Sequence, residues 1–180
     1  IMAKIPLFHI DFSITHYVGD ETYNEFPCVE VYNGVIHYHD DANARIDVGE
    51  IEIHLYDHME ADGSMQCGLY HCFDRSMSTI DMGDALLDED SDDLLDDIED
   101  TFDSTLNSGI LIIHEFMLLP PFRGKGYGAS ILKGIEQRFA YRCRLFALKA
   151  YPKQFDPHLF QENKLKFDKY DMESMKSMKK

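Results

Sequence analysis

The chain has 180 residues, is 44% hydrophobic and carries 33 acidic against 17 basic side chains, for a net charge of −16. That is one domain's length with enough apolar material for a core, and it excludes a disordered chain. No apolar run is long enough to span a bilayer, and the first residues lack a signal peptide's charged start and apolar stretch, so a cytoplasmic protein is expected.

The charge is unevenly spread. Residues 1–122 hold three cations and 27 acids, whereas residues 123–180 hold 14 cations and six acids. The basic third suits an anionic ligand. The acidic remainder repels nucleic acid and anionic membranes and attracts cations, so neither nucleic acid nor membrane is an expected partner. Cys28, Cys67, Cys72 and Cys143 form no CxxC pair and read as reduced, mostly buried thiols. Met2 reads as the initiator, with Ile1 an extra residue before it.

Residues 7–18 alternate, with aromatic and β-branched types, and predict a strand. Residues 28–39 predict a hairpin with Asn33-Gly34 at its turn. Residues 44–57 alternate again, and Gly49 shifts the phase, which predicts a bulge. Residues 65–73 read as a weaker strand. Residues 81–104 contain twelve acids and no cation. Leu87, Leu94, Leu95, Ile98 and Phe102 keep helical spacing there, with Ser91 as an N-cap, so an acidic amphipathic helix is predicted. Residues 109–119 are nearly all apolar and predict a central strand buried on both faces. Pro120-Pro121 ends it. A helix follows to about Ala140, with Ile131, Leu132, Ile135 and Phe139 inward, and then a strand over 144–151. Strand, helix and strand make a βαβ unit with parallel strands. Residues 157–180 predict a basic amphipathic helix that stops without a cap.

The turn between the buried strand and the helix is "PFRGKGYGAS". A glycine-rich turn opening a helix leaves several backbone N–H groups facing one concavity, and the helix dipole adds positive charge there. Such a place favours phosphate, and Arg123 and Lys125 strengthen the preference. A Walker loop needs Ser or Thr after its Lys, but Gly126 follows Lys125. A dinucleotide fingerprint fails too, because the third glycine position falls on Ala129 or Ile131.

The stretch resembles motif A of the GNAT superfamily of N-acetyltransferases, Arg/Gln-x-x-Gly-x-Gly/Ala, filled by Arg123, Gly126 and Gly128. The resemblance spans about 109–152 and is similar to a bacterial subgroup of that family. It implies an α/β (α+β) fold with a mixed, mostly antiparallel sheet, splayed between strands four and five. It implies acetyl-CoA as co-substrate, its pyrophosphate on Gly124, Lys125, Gly126, Tyr127, Gly128 and Ala129, and its pantetheine arm along Met117 and Leu118. Asn163 and Tyr170 keep a family interval, which implies a cofactor contact and a catalytic acid. The acidic helix before strand four departs from the family order, and no final Gly-Phe and hairpin follow, as though the chain were truncated. The implied reaction is acetyl transfer to a primary amine, or transfer of another acyl group from its CoA thioester. The alternative is a catalytically inactive CoA-binding or protein-interaction module. A homodimer is compatible with either.

Glu115, with His114 before it, is the candidate base, since a carboxylate on a buried strand is expected to have a raised pKa. The acidic first two-thirds of the chain favours a cationic acceptor, either a small molecule or a basic peptide amine. His37 with His39, and His54 with His58, find no third ligand in the sequence, so no metal is expected.

Overall fold

The computed structural model describes residues 5–15, 29–57, 69–74, 77–88, 90–91, 93–100 and 109–148. Five strands form one sheet: β1 (His9–Thr15), β2 (Val29–His39), β3 (Arg45–Tyr56), β4 (Gly109–Leu118) and β5 (Cys143–Leu148). They lie in chain order across it. The first four pair antiparallel, and β5 runs parallel to β4. Among the described residues, three short helices separate β3 from β4: α1 (Leu69–Phe73), α2 (Met77–Leu86) and α3 (Asp96–Glu99). A longer one, α4 (Tyr127–Phe139), makes the crossover to β5. The fold is therefore α+β, with a mixed, mostly antiparallel sheet.

Period-two alternation along β4 divides the core into two layers. Ile110 and Ile112 pack with Tyr56, Phe73, Leu87 and Leu94 on one face. Leu111 and Ile113 pack with Ile53, Leu55, Ile131 and Ile135 under α4 on the other. Residues 109–113 are buried throughout, as a run apolar on both faces requires. Each fully buried Ile or Leu contributes about 1.5–3 kcal/mol. Among the described residues no helix is long and apolar enough to cross a membrane.

Several expectations are corrected. Residues 29–39 form one strand without a turn at Asn33-Gly34. Gly34 pairs with both Phe12 and Ile51 at mid-sheet. Side chains close over it, so that a Cβ there would lie 2.7 Å from Ile10 Cγ2. The bulge expected at Gly49 is present as a register shift: Ile36 pairs with Gly49 and His37 with Asp47, leaving Val48 extra. Residues 69–73 are helical because Leu69, Cys72 and Phe73 are buried together at helical spacing. The acidic segment is not one helix. After α2, Leu87 and Leu94 bridge antiparallel, and α3 is a single turn. The break lies at Asp88, whose Oδ1 accepts from the amides of Asp90 at 2.9 Å and Ser91 at 3.0 Å. That local alternative competes with the helix, so Ser91 serves a turn and caps nothing. Leu87 and Leu94 stay buried, which is what their spacing encoded. Cys72 is disulfide-bonded, to a partner outside the described residues, so the expectation of reduced thiols fails there. Cys143 is a free, buried thiol. Phe102 and the basic segment from 157 to 180 lie outside the described residues.

Candidate functional site

β4 and β5 pair over Gly109–Ile113 and Cys143–Leu148. Beyond Ile113, the described residues give β4 a ladder partner on its β3 side alone. The Leu119 amide donates to the Val48 carbonyl at 2.8 Å, which sets the phase of that ladder. Alternation then turns the backbone groups of Met117 toward β3 and those of Phe116 and Leu118 toward the open side. Gly49 agrees with this: a Cβ there would lie 2.1 Å from the Met117 carbonyl oxygen. Met117, expected to pair with a pantetheine arm, thus has its polar backbone engaged with β3. The Leu118 carbonyl accepts from Arg123 Nε at 2.6 Å. Phe116, like Leu118, turns its amide and carbonyl away from β3, and the sequence reading missed it because ladder phase depends on the bulge at Val48.

The loop is built in two steps. Pro120–Phe122 form one 3-10 turn, in which the Phe122 amide donates to Leu119 at 2.9 Å. Gly124 and Gly126 then take φ of 69° and 78°, left-handed values that glycine adopts without strain. Gly126 is the N-cap of α4 and supplies no side-chain cap. The first bond of α4 runs from the Ser130 amide to the Gly126 carbonyl at 3.3 Å. Among the described residues, no carbonyl or side chain accepts from the amides of residues 124–129. The space over Gly124 and Gly126 is open, with no atom within 4 Å of a Cβ placed on either.

The two loop cations differ. Arg123 ties the loop to the end of β4, and burial lowers its pKa. Lys125 is exposed, with Nζ 5.8 Å from the Phe122 ring and 5.9 Å from the Tyr127 ring. Tyr127 packs on Phe8, ring centroids 5.1 Å apart. Gly128 faces Phe116, whose ring a Cβ would meet at 3.4 Å, an ordinary contact. Ala129 is exposed on the first turn of α4.

Glu115 is exposed, contrary to the buried carboxylate expected at that position. The bulge in β4 beside it turns its side chain onto the face away from α4. There it lines a cavity of about 440 Å³ with Asp11, Glu50, Glu52 and Met117. No Lys or Arg lines that cavity. Asn163 and Tyr170 lie outside the described residues.

A second constellation sits on the same face. Glu52 and His54 share one side of β3, and His114 joins them from β4. Glu52 Oε1 is 2.6 Å from His54 Nε2 and 3.2 Å from His114 Nδ1. The His114 and His54 imidazoles hold the Glu52 carboxyl well below the usual carboxylate range, against the opposing effect of its partial burial. His58, paired with His54 in the sequence reading, lies outside the described residues. His114 could not be placed beside His54 from the sequence because β3–β4 pairing, not spacing, brings it there. His37 and His39 do share a neighbourhood, with His9 as third ring at 5.5 and 5.6 Å.

Comparison with known protein families, with functionally described proteins and with solved structures gives no significant match.

Proposed function

We propose that the chain binds an acyl-CoA, acetyl-CoA in the first place, at residues 123–129 and transfers the acyl group to a primary amine. The observation that supports this is the row of amides over residues 124–129, which have no acceptor among the described residues, at the end of a strand whose last residues pair, among the described residues, with β3 alone. A diphosphate fits that row by hydrogen bonding and by charge, with Lys125 beside it. An extended pantetheine amide pairs with the Phe116 backbone as a further strand would. The thioester then lies near His114 and Glu115, just past the described β4–β5 pairing at Ile113 and Leu148.

The amine arrives cationic from the acidic cavity opposite α4. It gives a proton to Glu115, directly or through water, and its nitrogen attacks the thioester carbon. A β4 amide stabilises the oxyanion. The C–S bond breaks, the added nitrogen releases its second proton to water, and the thiolate takes a proton from an acid, a role the family resemblance gives to Tyr170. Exposure of Glu115 favours a second reading, in which the loop binds CoA without turnover and the chain serves as a binding module.

Calorimetry with CoA and acetyl-CoA tests the first step. Binding that weakens with salt and with Lys125→Glu is expected, because phosphate contacts are screened. Acetylation of a polyamine, an aminoglycoside and a lysine peptide is then compared with that of a neutral amine. Binding without turnover supports the second reading. No binding at millimolar CoA sinks both.

A further inference from the structure

Glu52, His54 and His114 meet through a defect in strand pairing. Glu52 pairs with Glu115 and Ile53 with Ile113, so His114 is an extra residue in β4. Bulges re-aim side chains, and this one carries the His114 ring onto His54, with centroids 4.5 Å apart and planes 6° from parallel. One donor atom from each of the three residues falls within a common 4.8 Å span.

One member of the cluster, His114, is not satisfied by hydrogen bonds among the described residues. Both His114 ring nitrogens are withdrawn from water without a hydrogen-bond partner among the described residues, although 23% of the side chain is open to solvent. Nδ1 approaches Glu52 Oε1 at 3.2 Å but is not aligned for a hydrogen bond. Buried polar atoms without partners are rare and point to a missing water or ion. His54 is held by Tyr56, whose hydroxyl lies 3.4 Å from Nδ1, and this leaves Nε2 directed at Glu52. A polar atom on the far ring nitrogen is the usual support of a metal-binding histidine.

We infer that Glu52, His54 and His114 form a site for one divalent transition ion, zinc foremost, that links β3 to β4 at the bulge. Two imidazoles and one carboxylate suit zinc, with a fourth position left for water. Tetrahedral zinc spaces its donors by about 3.3 Å. The 3.2 Å separation already matches, the 2.6 Å one needs Glu52 to withdraw by well under an ångström, and the stacked rings must turn so that the ion lies in the plane of each. Glu52 also lines the acidic cavity, which supplies both an entry path and a field attractive to cations. The zinc site adjoins the proposed acyl-CoA site at His114 but does not depend on that reading.

Zinc titrated calorimetrically into chelator-treated full-length chain should bind at one ion per chain. His54→Gln and His114→Gln should each weaken binding by at least about tenfold, while His37→Gln leaves it unchanged. Cobalt added to the unaltered chain should give visible bands of low-coordinate geometry, a reading that does not depend on any variant folding. No zinc binding and no such bands would overturn the proposal, leaving a proton shared between imidazole and carboxylate. Binding abolished by His37→Gln but not by His54→Gln would overturn it too, placing the ion at the other histidine group.

Discussion

Arg142 grips Glu30 with both arms of its guanidinium, Nη1 donating to Oε2 at 2.9 Å and Nη2 to Oε1 at 3.0 Å. The same Nη1 donates to the Tyr32 hydroxyl at 2.9 Å, and that hydroxyl donates to Glu30. Arg142 stands just past α4, its amide bonded to Phe139 at 2.8 Å, while Glu30 and Tyr32 lie on β2. The clamp therefore fixes the far end of α4 across the sheet and, through α4, the direction in which the glycine loop faces.

Both partners are about two-thirds buried, and the bidentate geometry places the pair above an ordinary surface ion pair. Arg142→Gln should cost about 1–2 kcal/mol of stability in urea unfolding. Arg142→Lys should recover less than half of that, because an ammonium cannot fork. A loss of only a few tenths of a kcal/mol in Arg142→Gln would show that the apolar face of α4 holds it unaided.

Three glycines separate backbone strain from packing. Gly124 and Gly126 have left-handed φ and open surroundings, so Gly→Ala there is opposed by conformation alone, at about 1 kcal/mol each. Gly134 lies inside α4 with nothing within 4 Å of an added Cβ, and Gly134→Ala should stabilise by about 0.5–1 kcal/mol. Melting temperatures of the three variants should move in opposite directions. A stabilising Gly126→Ala would mean that the loop does not hold its left-handed turn in solution.

Two glycines inside the sheet, Gly34 and Gly49, should differ in severity. A Cβ at Gly34 meets side-chain atoms of Ile10, Ile51 and Phe12, which can shift, so Gly34→Ala should cost about 1–3 kcal/mol. A Cβ at Gly49 meets the Met117 carbonyl at 2.1 Å, which is ladder backbone. Gly49→Ala should therefore cost more and disturb the edge of β4 that faces the proposed ligand. Equal costs in the two unfolding curves would contradict the tight β3–β4 approach at Gly49.

The elements legible in the sequence are those whose period and burial coincide. The β4 run, the α4 stripe of Ile131, Ile135 and Phe139, and β5 need no partner to be recognised. Asn33-Gly34 misleads because local turn propensity yields to Ile10 and Ile51 packing over the glycine. The acidic helix misleads because leucine spacing records burial, which a bridge between Leu87 and Leu94 satisfies as well as a helix does. In the candidate site, the glycine loop is local and could be read directly. The outward turn of the Phe116 backbone from β3 and the meeting of His54 with His114 depend on two bulges, whose register no spacing rule contains.

Cys143 offers a last test, of the β4–α4–β5 layer itself. Its side chain is buried under α4 at the start of β5, beside Ile135 and Phe139. Burial pushes its thiol up from 9.0 to about 11, with Asp57 and Glu30 adding to the shift and Arg142 opposing it. The folded chain thus holds the thiol proton more tightly than the unfolded chain does. This contribution to stability is fully present below about pH 9 and is lost as pH rises toward about 11. Cys143→Ala removes the group that titrates. Its unfolding free energy should accordingly fall less steeply than that of the unaltered chain between those two values, by an amount on the order of 2 kcal/mol across the window. Native Cys143 should also resist iodoacetamide at pH 8 until denaturant is added, since little thiolate is present and access is poor. Prompt alkylation of Cys143 in the native state, located by peptide mapping, would show that α4 does not seal β5. The amide row that α4 presents would then lack the rigid support that phosphate binding requires.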